Sequence, residues 1–155
     1  MNSLMNNGEE LLSSPSIIAY LKEHNEQAIM EIRNATLALA FDFYSAVGFY
    51  IYRAIEKILE EYLVLFKIMR KRKPSFGGYI DYLKKHNVDA KITGILDHIR
   101  DNYRNDIIHP NEFWNAENAT TALGLALSAI LIIVPDIMRR KALNSMAPES
   151  LPSRI

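Results

Sequence analysis

The sequence predicts an all-α protein, an antiparallel bundle of four to five helices, on three observations. Apolar residues recur at intervals of three and four along most of the chain, capping residues and prolines fall at the edges of those stretches, and no segment keeps the two-residue alternation of a half-buried strand. With 155 residues, 49% of them apolar, the chain has the length of one domain and enough apolar surface to bury a core without disulfides or a structural metal.

Residues 1–14 carry Glu9 and Glu10 and lack both a basic opening and a long apolar run, so they read as a flexible N-terminal arm and not as a signal peptide. The helical domain is expected over 15–146. Ser14 and Pro15 resemble an N-cap followed by proline at the first helical position, and Ile17, Ile18, Leu21, Ala28, Ile29 and Ile32 then follow with helical spacing. From residue 35 to about residue 72 there is no proline and one glycine, Gly48, which predicts one long helix. Ile55, Ile58, Leu59, Tyr62, Leu63 and Phe66 form its dry face, and Glu56, Lys57, Glu60 and Glu61 its wet face. Its end is expected at Arg70-Lys71-Arg72-Lys73-Pro74, where basic side chains suit the carbonyl end of a helix and proline stops it.

Gly77 and Gly78 mark a connection, and 79–86 makes a short amphipathic helix. Asp89 can cap the next helix, which runs through Ile92, Ile95, Leu96, Ile99 and Tyr103 and must give out near His109, because Pro110 disfavours helical geometry in the residue before it. Asn115 or Asn118 can cap a final helix that is apolar almost all round from 122 to 134, is expected to bend at Pro135, and turns basic at Arg139, Arg140 and Lys141. That composition predicts the most buried helix of the bundle. Residues 147–155 hold two prolines and no periodicity and read as a disordered C-terminal tail.

Eighteen basic residues balance eighteen acidic ones, so no global field draws the chain to nucleic acid, and any such contact must be local or built by an oligomer. The chain has no cysteine, which excludes thiol chemistry and fits a cytoplasmic address. The apolar run 122–134 falls short of the roughly 20 residues of a spanning helix, so no membrane association is expected. His24, His86 and His98 have no metal-ligand spacing, and neither a metal nor another cofactor is expected.

The chemistry concentrates in Arg104-Asn105-Asp106-Ile107-Ile108-His109-Pro110. His109 exchanges protons near neutrality, and Arg104 stays charged and offers a planar fork to phosphate oxygens. On a continuous helix, residues five apart differ by about 140° in direction, whereas residues four apart share a face. Asn105 is therefore the neighbour expected to orient the His109 imidazole, and Arg104 meets a histidine either where the helix unwinds before Pro110 or across a dimer interface.

An arginine, a following polar residue and a histidine after four intervening residues, placed before a long apolar final helix, resemble the signature of HEPN domains. The earlier segment Tyr52-Arg53-Ala54-Ile55-Glu56-Lys57-Ile58-Leu59 is similar to the apolar stretch with arginine and glutamate that precedes the motif in many members. The resemblance spans about 17–143 and, outside the motif, rests on element order. It implies a metal-independent endoribonuclease of the toxin or antiviral-defence type, a homodimer whose two motifs line one cleft. Arg104, Asn105 and His109 would be catalytic, and Arg53 and Glu56 supporting. A cognate antitoxin protein is a further partner it implies. Members that pair with a nucleotidyltransferase antitoxin often carry a tyrosine beside the motif histidine, where this chain has Ile107, Ile108, Pro110 and Asn111.

Blander readings stand beside these. Arg104 can pair with Asp101 or Glu112 on a solvated face, Glu56 can form a helical salt bridge, and Phe113 and Trp114 can cover the core as readily as stack a base. The Arg70–Lys73 run can touch phosphates, although complementing a helix end explains it more simply. As alternatives to RNA cleavage, the domain is a non-catalytic HEPN module that binds a nucleotide, an RNA or a protein, or a membrane-associated helical protein.

Overall fold

The computed structural model describes residues 13–101 and 114–147. Among these residues there are helices and no strands: α1 (Pro15–His24), α2 (Glu26–Ala40), α3 (Tyr44–Leu65), α4 (Phe76–Lys85), α5 (Ala90–Ile99) and α6 (Ala116–Met146). The all-α class holds. Among the described residues the helices number six, where four or five were expected, because the chain breaks at places where no proline or glycine announces it.

Asn25 makes the first unannounced break. Its backbone leaves helical geometry, its Oδ1 accepts from the Ala28 N–H at 3.2 Å, and its Nδ2 donates to the Lys57 carbonyl at 3.0 Å and to Glu61 Oε1 at 2.8 Å. The side chain thus satisfies an orphan donor of α2 and anchors the turn to α3. The next two ends share one geometry. After α2, the Asp42 N–H donates to Leu39 O at 3.2 Å and the Phe43 N–H to Ala38 O at 2.8 Å, with Asp42 at φ 60°. After α3, the Lys67 N–H donates to Val64 O at 3.1 Å and the Ile68 N–H to Leu63 O at 2.9 Å, with Lys67 at φ 54°. These are Schellman ends with a left-handed residue just past the cap, a position that usually falls to glycine. The long helix expected over 35–72 is therefore two helices, and α3 stops at Leu65, well short of Arg70.

Gly77 and Gly78 belong to the first turn of α4 and not to a connection, since Ser75 caps that helix by accepting from the Gly78 N–H. A Cβ at Gly78 would lie 3.3 Å from both Pro74 Cβ and Ser75 Oγ, so glycine suits this tight entry. Asp89 caps α5 as expected, accepting from the Lys91 N–H at 2.8 Å. Both asparagines proposed for α6 take part in one capping box: Asn115 accepts from the Asn118 N–H at 2.9 Å, and Asn118 accepts in return from the Asn115 N–H at 3.3 Å.

The α2–α3 pair is antiparallel, with Asn25 meeting Glu61, Arg53 meeting Glu31, and Ala38 beside Ala46 near the turn. The bundle is not antiparallel throughout. Ile51 and Ile55 lie by Ala122 and Ala126 while Tyr62 reaches Asp136 and Glu61 reaches Lys141, so α6 runs parallel to α3, and α4 with α5 forms the connecting hairpin. The core joins Leu21, Ile29, Ile32, Ile58, Leu59 and Tyr62 to Ala129, Ile133, Val134 and Ile137.

α6 is amphipathic and not buried all round: Thr121, Gly124, Ser128, Ile132, Pro135 and Arg139 form an exposed stripe along it, and the helix runs on through Pro135. It is also longer than its apolar run suggests. At 31 residues, and with a mean hydropathy of 2.1 in its most apolar window, it is long and apolar enough to cross a membrane, and half of that window is buried inside the protein.

Candidate functional site

Arg104, Asn105 and His109 lie outside the described residues, as do Phe113 and Glu112. The elements that flank the motif are described. Ile92, Leu96 and Ile99 anchor α5 in the core, and Ile99 shares with Gly48, Ile51, Tyr52, Ile55, Ala122 and Ala126 an apolar gap of about 10 Å³, a packing defect too small for any ligand. Beyond it, Arg100 forms an ion pair with Asp97 at 3.1 Å and donates a hydrogen bond to Asp101 at 2.8 Å. The Arg100 bond holds the Asp101 carboxyl below the usual carboxylate range. Asp101, one of the two carboxylates offered above as a solvated-face partner for Arg104, is therefore paired with Arg100.

Trp114 lies on the other side of the motif. It is buried and lines a groove with Asp42, Phe43, Tyr44, Ser45 and Ala46, so covering the α2–α3 corner describes it better than stacking a base. Both flanks thus rest on the N-terminal half of α3. Around them the surface is aromatic: Phe41 is 64% and Phe43 65% exposed, and Leu37, Phe41, Phe43, Ala46 and Tyr50 line an open groove between α2 and α3.

The two supporting candidates point to different neighbours. Arg53 Nε forms an ion pair with Glu31 Oε1 at 2.9 Å, and its guanidinium lies 5.3 Å from the centroid of the Phe49 ring. Glu31 is almost wholly buried, and its Oε2 has no hydrogen-bond partner among the described residues. Glu56 accepts from Lys73 at 3.2 Å, and Lys73 also reaches Glu60 at 2.9 Å. Burial lowers the Lys73 ammonium pKa, but its bonds to Glu60 and Glu56 more than offset this and leave it raised, so the lysine is a firmly charged clasp. The side chains thus form salt bridges, with partners that sequence spacing does not suggest, because Glu31 and Lys73 lie on other segments.

Two polar networks at the far end of α3 had no signal in the sequence. Tyr20 donates to Glu61 Oε2, and Lys141 donates to both the Tyr20 hydroxyl and, at 2.9 Å, to Glu61, so α1, α3 and α6 meet in one cluster. Burial and the bond to Glu61 push the Tyr20 hydroxyl up to about 12, which keeps it a donor. One turn away, Asp136 accepts from Tyr62 at 2.8 Å, from Arg140 at 2.8 Å and from Arg139 at 2.7 Å. Each residue has its partner within the fold, so both clusters read as structural ties.

Among the described residues no group of three His, Asp or Glu side chains is arranged to hold a metal ion. His86 stacks on Phe66 at 4.2 Å and hydrogen-bonds the Tyr82 carbonyl at 2.8 Å, which uses it as a packing group at the end of α4. Comparison with protein-family models, with curated proteins and with solved structures finds no match to the chain.

Proposed function

We propose that this protein is a metal-independent endoribonuclease of the HEPN type, acting as a homodimer in the cytoplasm. The observation that carries the reading is the sequence Arg104-Asn105-Asp106-Ile107-Ile108-His109-Pro110 between α5 and the long α6 of an all-helical protein. RNA carries its own nucleophile. The 2′-oxygen attacks the adjacent phosphorus, the bond from phosphorus to the 5′-oxygen breaks, and one proton leaves the 2′-hydroxyl while another reaches the departing 5′-oxygen. The two copies of His109 in a dimer supply the base and the acid. Arg104 neutralises the charge that builds on the phosphorane oxygens, and Asn105 orients the imidazole.

Dimerisation has support of its own. The exposed Phe43 lines a groove with Trp114, the first described residue after the motif, and shares the neighbouring groove with the exposed Phe41; an isologous contact at this corner would bring two motifs together while removing the rings from water. The test is cleavage of a mixed-sequence RNA by the purified protein in EDTA. Wild type is expected to leave a 2′,3′-cyclic phosphate and a 5′-hydroxyl, and Arg104→Ala or His109→Ala to abolish the products. Equal activity of wild type and His109→Ala would leave a non-catalytic binding module. Cleavage at a 2′-deoxy position would refute the 2′-oxygen as nucleophile.

A further inference from the structure

Residues 67–73 hold Lys67, Arg70, Lys71, Arg72 and Lys73 with no acidic residue among them, in a chain whose overall charge is balanced. The simple explanation, positive side chains complementing the carbonyl end of a helix, does not survive the fold. α3 ends at Leu65, and the Schellman bonds from Lys67 and Ile68 satisfy the carbonyls of Val64 and Leu63 before Arg70 is reached. A helix dipole acts within its last turn, so it does little for Arg70, Lys71 and Arg72. On the other side these residues approach the N-terminus of α4, capped by Ser75, where the dipole is positive and basic side chains are disfavoured.

The strip is nevertheless well held. Lys73 is clasped by Glu56 and Glu60 at its foot, and the Arg70 guanidinium lies 4.9 Å from the centroid of the Tyr82 ring. Arg70, Lys71 and Arg72 are exposed and form no ion pair among the described residues. The foot of the strip also adjoins the end of α5: past Pro74 and Ser75, a Cβ at Gly77 would lie 4.0 Å from Arg100 Nη1, and Arg100 precedes Arg104 in the sequence by four residues.

We propose that residues 67–73 form a docking strip for the phosphate backbone of single-stranded RNA, leading the strand toward the motif; the assignment of RNA rests on the nuclease reading above. Two arginines supply planar forks for phosphate oxygens, and the ring beneath Arg70 limits its freedom before binding. A membrane surface is the weaker partner. Stable attachment there needs an apolar face as well as charge, and beside the cations the strip exposes one large apolar side chain, Met69, with no helix to extend it.

The test uses the full chain carrying His109→Ala, so that RNA is not consumed, and a labelled mixed-sequence single strand. Adding Arg70→Ala, Lys71→Ala and Arg72→Ala is expected to weaken binding roughly tenfold or more at 0.1 M salt. It should also flatten the slope of log affinity against log salt by about 2, since each phosphate contact on a single strand contributes about 0.7. Lys71→Glu alone, a change on an exposed side chain, should move binding the same way with an unchanged helical spectrum. Unaltered affinity and slope in the triple variant would overturn the strip, as would no RNA binding by the parent, or binding of phosphatidylserine vesicles that the triple variant loses while RNA binding persists. The nuclease reading fails separately: loss of binding in the triple variant with no cleavage by wild type leaves the strip standing without it.

Discussion

The two ends of α3 are built differently. At its C-terminal end, Glu61 and Tyr62 are tied by directional bonds to Tyr20 and Asn25 of the α1–α2 region and to Asp136 and Lys141 of α6. At its N-terminal end, Val47 and Ile51 pack among small and aliphatic neighbours, and Phe41, Phe43 and Phe49 remain open to water. Hydrogen bonds and charge pairs fix register and angle, because a misplaced polar group in a dry site is costly, whereas apolar packing tolerates adjustment. One end of the molecule is therefore stitched shut and the other left with surface to spare. Both described flanks of the Arg104–His109 motif, Ile99 and Trp114, lie at the open end.

The contrast breaks most sharply at Asp136. Its carboxylate gathers the hydroxyl of the fully buried Tyr62 and the guanidinium groups of Arg139 and Arg140. Asp136→Ala should destabilise the fold by roughly 2–4 kcal/mol, since it strands a buried donor and a partly buried cation, and urea unfolding measures it. Tyr62→Phe removes one hydroxyl and should cost only about 1 kcal/mol. Burial raises the Asp136 carboxyl, but the bonds from Arg140, Arg139 and Tyr62 more than offset this, so its pKa in the folded protein is lowered. Its contribution is accordingly complete above the ordinary Asp value of about 3.9 and is lost as pH falls through the depressed folded value. Asp136→Asn should flatten the fall of stability below about pH 4, and an unchanged acid profile would show that Asp136 is not a tie.

The same contrast explains what the sequence could disclose. Caps are residue-type signals, so Asp89 and the Asn115 and Asn118 pair were legible, as was the apolar face of α5; Ser14 with Pro15 marked the start of α1, although the Ser14 side chain makes no capping bond there. The breaks after Ala40 and Leu65 were not, because the left-handed positions that make them are Asp42 and Lys67, and a conformation usually bought with glycine was adopted by residues that do not advertise it. Gly77 and Gly78 misled in the opposite sense, being glycines inside a helix. The stitched end was invisible for another reason: Tyr20, Glu61 and Lys141 are remote along the chain, and only the parallel course of α3 and α6 brings them together. Of the candidate site, the motif residues Arg104, Asn105 and His109 lie outside the described residues, and the ion-pair partners of Arg53 and Glu56, Glu31 and Lys73, follow from the turns that spacing could not locate.

The smallest expected effect on stability sharpens the comparison at the open end. Phe41 and Phe43 are largely exposed, so replacing both by serine forfeits little burial within one chain. The double variant Phe41→Ser, Phe43→Ser should therefore lie within about 1 kcal/mol of wild type in urea unfolding followed at a concentration where both are monomeric. Its effect should appear instead in sedimentation, as a shift from dimer to monomer, because the rings are the apolar surface that the second copy would cover. The two measurements separate the possibilities. A large loss of stability would mean that the corner is held as tightly as the Asp136 end and that the contrast between the ends is false. A dimer of unchanged affinity would place the two-fold contact elsewhere, and a wild-type monomer at assay concentration would remove the composite site on which the nuclease mechanism depends.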